Sequence, residues 1–254
     1  MMRSFLAALQ FLTCIPVSVS GLSEREFGRS AAFFPVVGVV VGAAMVGFYR
    51  LSLLALPQSA ARILALAALV AVSGAFHLDG LADSADGLYG TTDREEALRR
   101  MKDPRTGPMG VVAIVIVLML KAAAAVTLPE DAFRGGLLAM PVAGRGAMVL
   151  ALALPSARPS GLTGLFARHR LRADPCVAVV LMSGVALVAL GSAGLAALLG
   201  SLTAVGWLLL RSWRRIHGVT GDVCGAVGEV AECAFLLVLL AAWTGGAHSA
   251  PAPY

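Results

Sequence analysis

The chain has 254 residues, of which 58% are hydrophobic and 14% are charged. Soluble proteins contain about 25% charged residues, so this composition excludes a single water-soluble core and predicts a polytopic membrane protein. The net charge of +5 comes from arginine clusters between apolar runs, a distribution that disfavours nucleic-acid binding. Four cysteines without a CxxC pair disfavour a zinc site or a disulfide framework.

The predicted fold class is all-α: a membrane helical bundle that forms one domain over residues 1–254. Residues 1–17 are predicted as an interfacial helix, because their apolar residues follow helical spacing and no clear cleavage site follows them. Apolar stretches that approach the roughly 20 residues of a transmembrane helix are 31–55, 60–76, 109–128, 135–154, 175–191, 194–210 and 226–243, with a tail at 244–254. The fifth and sixth stretches meet at Gly191 and are alternatively a re-entrant hairpin, so about seven transmembrane helices are predicted, with a range of six to eight.

Arginine-rich connections alternate along the chain with connections that carry few positive charges. Arginine-rich connections fall on one side of the seven-helix arrangement: Arg25 and Arg29; Arg94, Arg99, Arg100, Lys102 and Arg105; Arg158, Arg168, Arg170 and Arg172; Arg211, Arg214 and Arg215. The positive-inside rule makes this side cytoplasmic, with the N-terminus inside and the tail outside.

An acidic motif follows the second apolar stretch. Asp79, Asp83 and Asp86 are four and three residues apart, so a helix places them on one face. Three carboxylates repel one another unless a cation lies between them, and oxygen ligands of this kind suit Mg²⁺. The alternative is a solvated polar helix start. We predict catalytic and metal-binding roles for all three aspartates, and a cytoplasmic position for them.

A cationic loop comes before the third apolar stretch. Thr92 and Glu95 have the spacing of a capping box, which predicts a short helix that ends before Pro104. Lys102 and Arg105 then lie among proline and glycine residues, and such a loop presents cations and backbone N–H groups to phosphate oxygens. The alternative is a topological anchor with ordinary turn residues.

A second acidic group lies where the last apolar stretch begins. Asp222, Glu229 and Glu232 form one helical stripe, and we predict Asp222 and Glu229 as further metal ligands. The alternative is a buried carboxylate pair neutralised by Arg145, which lies midway along the fourth stretch and must face protein or a polar cavity. We predict Arg145 as a substrate-binding residue, and Lys121 as a structural residue that snorkels towards the outer surface.

Two histidines adjoin these motifs. His77 and His217 each qualify as a general base or ligand, but a lone histidine before a polar turn is more often a hydrogen-bonded structural residue. His77 is the one we predict as catalytic. Mg²⁺ held by carboxylates binds a diphosphate and stabilises its departure, so the combined motifs predict a transferase that uses a diphosphate-linked donor. No GxSxG or HExxH pattern favours a hydrolase.

The motifs together resemble the adenosylcobinamide-GDP ribazoletransferases, the cobalamin synthases, over nearly the whole chain. The matching segments are 34–38, 76–87, 101–107, Gly144 with Arg145, and 220–226. The resemblance implies a membrane enzyme of the bacterial inner membrane that joins adenosylcobinamide-GDP to α-ribazole or its 5′-phosphate, with Mg²⁺, and releases GMP. It leaves open whether the chain forms a homo-oligomer.

The resemblance also implies roles for particular residues. Asp79, Asp83, Asp86 and Asp222 are implied as metal and diphosphate carboxylates, and the substrate loop is implied to consist of Lys102, Asp103 and Arg105. Two positions depart from the family pattern: Pro104 stands where a serine is expected, and His217 stands where glycine is frequent.

Two other functions are compatible with parts of the pattern. CDP-alcohol phosphotransferases of phospholipid synthesis also bind Mg²⁺ through aspartates on membrane helices, but the alanine and arginine of their DGxxAR motif correspond to Asp83 and Ser84 here. A secondary transporter would use buried carboxylates and Arg145 for ion coupling, and it would place carboxylates near the midplane rather than at the cytoplasmic ends of helices.

Overall fold

The computed structural model describes residues 1–247, and this part of the chain is helical. The helices are α1 (Met2–Leu12), α2 (Glu24–Gly28), a 3₁₀ turn (Arg29–Phe33), α3 (Phe34–Ser52), α4 (Gln58–Val72), α5 (Phe76–Gly90), α6 (Arg94–Arg100), α7 (Pro108–Thr127), α8 (Glu130–Ala151), α9 (Leu162–His169), α10 (Asp174–Ile216) and α11 (Gly221–Ala247). Helix α11 extends into the predicted tail, whose residues 248–254 lie outside the described part. The predicted all-α bundle is confirmed.

Four helical segments are long and apolar enough to cross a membrane: Glu24–Ser52, Pro108–Thr127, Asp174–Ile216 and Gly221–Thr244. Helices α4 and α5 form a fifth candidate if the pair, which is bent by 82°, counts as one span. Helix α8 carries Arg145 in its interior and is buried along most of its length by other helices. It therefore forms the centre of the bundle.

Helix α10 turns back on itself at Gly191. This residue has φ 61° and ψ −142°, a non-helical conformation that glycine adopts without a Cβ penalty. A straight helix would separate residues 186 and 194 by about 12 Å, but a Cβ on Gly194 would contact the Ala186 carbonyl oxygen. The two halves of α10 pack against different helices: Met182 in the first half contacts Gly146 of α8, and Ser201 in the second half donates a hydrogen bond to α11. The break that the sequence places between the fifth and sixth apolar stretches is therefore present at Gly191.

Small residues let α3 approach α8 closely. A Cβ on Gly38 would lie 2.7 Å from the Val142 Cα, and a Cβ on Gly42 would lie 2.9 Å from the Leu138 Cα. Without a hydrophobic driving force between helices in lipid, such backbone contact is a main source of helix association.

Helix α5 lies across one end of the bundle. The chain leaves α4 through Gly74 and Ala75, both with positive φ, and turns sharply into α5. Along α5, Gly80 contacts the start of α11, Asp86 contacts the start of α7, and the Leu88 carbonyl accepts a hydrogen bond from Arg211 near the end of α10. Because these partners are helix ends, α5 lies at the end of the bundle.

The predicted arginine-rich connections meet at this same end. Arg94 donates to the Ile216 carbonyl, and Arg158 donates to the Leu98 carbonyl. We call this the arginine-rich end. The short helix α6 also lies here and ends before Pro104 as predicted, but the predicted capping box is wrong by one residue. Asp93 is the N-cap, because its side chain accepts the Glu96 N–H at 2.8 Å.

Candidate active site

The three α5 aspartates share one helix as predicted, but their surroundings differ. Asp79 is exposed, whereas Asp83 and Asp86 are half-buried. Gly80 sets the approach of α11: a Cβ there would lie 2.7 Å from the Asp222 carbonyl oxygen and 3.2 Å from the Gly225 Cα. Only a glycine permits this backbone contact, and it brings Asp79 close to Asp222.

Asp79 and Asp222 line one cavity of about 210 Å³. Its other lining residues are Phe76, Gly80, Arg158, Gly161, Leu162, Thr163, Thr220 and Gly221. Two motifs that are more than 140 residues apart in the chain therefore contribute carboxylates to the same opening. We call it the aspartate cavity.

Arg158 is the cation of the aspartate cavity. Its Nη1 lies 3.8 Å from Asp222 Oδ2, and its Nη2 donates to the Leu98 carbonyl. Sequence reasoning counted Arg158 only as a topological charge, because no motif surrounds it. Its position follows from the loop after α8, which is fixed by a bridge between Ser156 and Val219 directly before the Asp222 motif.

Asp83 lies among like charges. Burial and the carboxylates of Asp79, Asp222 and Asp86 raise its pKa to about 7. Neighbouring carboxylates disfavour ionisation of a group, whereas a bound cation favours it. The electrostatics at this face of α5 therefore favour a cation.

Asp86 holds the cationic loop. One carboxylate oxygen accepts the Gly107 N–H at 2.6 Å, and the other accepts the Gly110 N–H at 3.0 Å. These donors belong to the start of α7, where backbone N–H groups lack helical partners. Asp86 thus caps α7 from another helix, an additional role that its spacing alone did not reveal.

The predicted substrate loop is exposed and partly self-paired. Asp103 accepts hydrogen bonds from the Arg105 backbone N–H at 3.0 Å and from the Arg105 guanidinium, and these bonds lower the pKa of Asp103 to about 2. Lys102 is exposed, and its ammonium group forms no hydrogen bond or ion pair with the described residues. Its ammonium group is therefore available to a ligand.

A separate charged cluster lies inside the bundle. Lys121 Nζ donates to Glu229 at 2.6 Å and to Glu232 at 2.7 Å, and Arg145 donates to Glu232. We call these four residues the buried tetrad; each is at most 4% exposed. The prediction that Lys121 snorkels is wrong, because α7 turns this side chain towards α11.

The buried tetrad does not line the aspartate cavity. Glu229 is seven residues beyond Asp222, about 10 Å along a helix, and it pairs with Lys121. The four residues line another cavity of about 340 Å³ whose remaining walls are mainly apolar side chains of α4. Pairing of Arg145 with Glu232 fits the alternative stated above, a buried carboxylate pair neutralised by Arg145. Metal binding by Glu229 and substrate binding by Arg145 stay predictions.

The two histidines occupy different environments. His77 is 2% exposed, its Nε2 has no hydrogen-bond partner among the described residues, and it does not line the aspartate cavity. His217 ends α10 with φ 55°. The left-handed conformation is one that glycine adopts readily, which explains the glycine that the family pattern expects at His217.

No group of three or more His, Cys, Asp and Glu side chains within residues 1–247 is arranged to hold a metal ion. The predicted metal ligands lie in three places: Asp79, Asp83 and Asp222 at or near the aspartate cavity, Asp86 at the start of α7, and Glu229 in the buried tetrad. Metal binding by each of them stays a prediction. A complete protein cage is not required for Mg²⁺, which is commonly held by one or two carboxylates together with substrate phosphates and water.

Comparisons with known proteins match the chain over nearly its full length. The family model described as cobalamin-5-phosphate synthase matches residues 4–240. Two relatives are named adenosylcobinamide-GDP ribazoletransferase. The one from Pseudomonas savastanoi pv. phaseolicola is 45% identical to this chain over 242 residues, and the one from Pseudomonas aeruginosa PAO1 is 44% identical over 242 residues. These alignments cover 94% of this chain and 99% and 98% of the relatives. No solved structure matches the chain. The chain therefore belongs to the cobalamin-5-phosphate synthase family and is a transferase.

Proposed function

We propose that this transferase joins adenosylcobinamide-GDP to α-ribazole or its 5′-phosphate, forms adenosylcobalamin or its phosphate, and releases GMP. The full-length similarity to relatives of that name supports the assignment. The observation that carries it in the structure is the aspartate cavity, where Asp79 and Asp222 converge beside Arg158.

We infer that Mg²⁺ accompanies the diphosphate donor. Asp79, Asp83 and Asp222 supply hard oxygen ligands, and the like charges around Asp83 favour a cation there. The ion would neutralise the diphosphate and the departing phosphate. The carboxylates near the cavity fit this role without the participation of Glu229.

The residues of the chain supply positioning and charge. The ribazole ribose hydroxyl attacks the phosphorus attached to cobinamide, in line with departing GMP. Arg158 and Lys102 offer cationic groups to phosphate oxygens. Asp86 fixes the loop that carries Lys102 through its two backbone hydrogen bonds. An α5 carboxylate is better placed to accept the hydroxyl proton than His77, because Asp79 faces the aspartate cavity and His77 does not.

We place the arginine-rich end in the cytoplasm of a bacterial cell, with the chain in the inner membrane. The support is the distribution of arginine and lysine over the connections, which the positive-inside rule relates to topology. Both nucleotide-derived substrates would then reach the aspartate cavity without crossing the bilayer.

The experiment is a turnover assay on membranes that contain the chain. Incubation with adenosylcobinamide-GDP, α-ribazole phosphate and Mg²⁺ is expected to release GMP and a corrinoid product, and chelation of Mg²⁺ is expected to stop both. Asp83→Asn is expected to abolish turnover while the protein stays folded in the membrane. Asp131→Asn, an exposed aspartate at the start of α8, is the matched control and should retain activity.

Two results would contradict the proposal. Full activity of Asp83→Asn would show that the aspartate face of α5 does not form part of the active site. Absence of GMP, together with CMP release from a CDP-alcohol donor, would instead assign the chain to CDP-alcohol phosphotransfer.

A further inference from the structure

A second cavity at the arginine-rich end has the features of a lipid site. Its volume is about 500 Å³, and it lies between α1, α2, the 3₁₀ turn and the start of α10. Its lining residues are Met1, Ser4, Arg25, Glu26, Arg29, Ala32, Phe33, Leu171 and Asp174. None of these residues belongs to the aspartate cavity.

The two arginines of this cavity lack partners. The side chains of Arg25 and Arg29 form no hydrogen bond or ion pair with the residues that the structure describes, and Arg29 Nε is buried without an acceptor. The acidic residues nearby are already engaged. Glu26 pairs with Arg3 at 3.0 Å and accepts two bonds from Ser23.

Asp174, the other carboxylate of the cavity, is bonded to the backbone through one of its two oxygens. It is 5% exposed and accepts the Leu171 N–H at 2.7 Å. The cavity therefore retains two guanidinium groups with free donors, which are suited to an oxyanion such as a phosphodiester.

The depth of the cavity in the membrane favours a phospholipid. Helices α3 and α10 begin at Phe34 and Asp174, where the chain enters two apolar segments, so the arginines lie at the headgroup level. Four of the other seven lining residues are apolar, and two of these are open: Met1 is 97% exposed and Leu171 is 50% exposed. Helix α1 thus presents an apolar surface next to unpaired cations, as interfacial helices that contact anionic lipids do.

We propose that this cavity binds one anionic phospholipid, whose phosphate lies between Arg25 and Arg29 and whose acyl chain packs along Met1, Phe33 and Leu171. The lipid attaches α1 and the 3₁₀ turn to the start of α10. The proposal is independent of the proposed catalytic function, since it makes no use of the aspartate cavity.

The test compares lipids and variants of the full chain in detergent. Thermal unfolding is followed while phosphatidylglycerol or phosphatidylcholine is added, and native mass spectrometry counts retained lipid. For the wild type, phosphatidylglycerol is expected to raise the unfolding temperature more than phosphatidylcholine, with one molecule retained. Arg25→Gln with Arg29→Gln should lose this difference, because each arginine contributes about fivefold to anionic-lipid affinity.

Two variants control for folding and for general charge. Arg25→Lys with Arg29→Lys keeps both charges and is expected to retain part of the response. Arg214→Gln removes an exposed arginine of α10 that is unpaired among the described residues and lies outside the cavity, and it should respond like the wild type.

Three outcomes would overturn the proposal. The first is an equal response of the wild type to both lipids. The second is an equal loss in Arg214→Gln, which would indicate general surface charge. The third is an equal stabilisation by inorganic phosphate alone, which would indicate a site for a free anion.

Discussion

Lys121→Met tests whether the buried tetrad stabilises the bundle. Lys121 Nζ lies 2.6 Å from Glu229 and 2.7 Å from Glu232, and these three side chains are at most 5% exposed. Methionine keeps the length and apolar stem of lysine but removes the charge. Glu229 then loses the only ion-pair partner that it has among the described residues.

The cost follows from the two charged hydrogen bonds that are lost. Hydrogen bonds to charged groups contribute about 1.5–3 kcal/mol each, and removal of one member of a buried ion pair costs about 3–5 kcal/mol. We therefore expect Lys121→Met to lower the free energy of unfolding by about 3–5 kcal/mol.

The assay is unfolding by SDS in mixed micelles, with Lys102→Met as the exposed control. The control should change the free energy of unfolding by no more than about 0.5 kcal/mol. In a double-mutant cycle, Glu229→Gln should recover part of the loss in the Lys121→Met background, with a coupling energy of about 1–3 kcal/mol. Loss of under about 1 kcal/mol in Lys121→Met, or additivity in the cycle, would refute the reasoning and favour a snorkelling lysine.

Three further substitutions test the positioning of the site. Asp86→Asn replaces an acceptor of two backbone N–H groups with a group that accepts at one atom only. We therefore expect at least a tenfold rise in the KM for the corrinoid donor, measured by GMP release. An unchanged KM would exclude a role for Asp86 in holding the loop that carries Lys102. Gly80→Ala should reduce turnover strongly, because its Cβ would lie 2.7 Å from a backbone oxygen of α11. The control Gly47→Ala should leave turnover unchanged, because its Cβ meets nothing within 4 Å. Equal activity of the two variants would contradict this reasoning. Arg62→Gln removes buried hydrogen bonds of 3.0 and 2.6 Å to the end of α7, so it should lower the free energy of unfolding by about 2–4 kcal/mol without a change in the KM for either substrate.

Features set by local spacing could be predicted from the sequence. The interval between Asp79 and Asp83 is one helical turn, so their common face follows from helix geometry alone. The break at Gly191 also follows from residues on either side of it. In both cases the deciding interactions lie within a few positions of the chain.

Features set by lateral neighbours could not be predicted in the same way. The position of Lys121 along α7 gives its depth in the bundle, but not which helix it faces, so the contact with Glu229 was missed. Arg158 was missed as a site residue for a similar reason: it enters the aspartate cavity because the chain after α8 pairs with residues near Val219, some 60 positions later. No local pattern records either contact.

The division of the acidic residues explains how a polar site forms at the end of an apolar bundle. If all the aspartates of α5 bound metal, the loop before α7 would need another acceptor for its free backbone N–H groups. Asp86 supplies that acceptor, and Gly80 brings the start of α11 against the same helix. Helix α5 therefore connects the loop that carries Lys102 with the motif that carries Asp222. A displacement of α5 would move it away from the Lys102 loop and from the Asp222 motif at the same time. The position of this one helix therefore determines the placement of both the cationic and the acidic part of the candidate site.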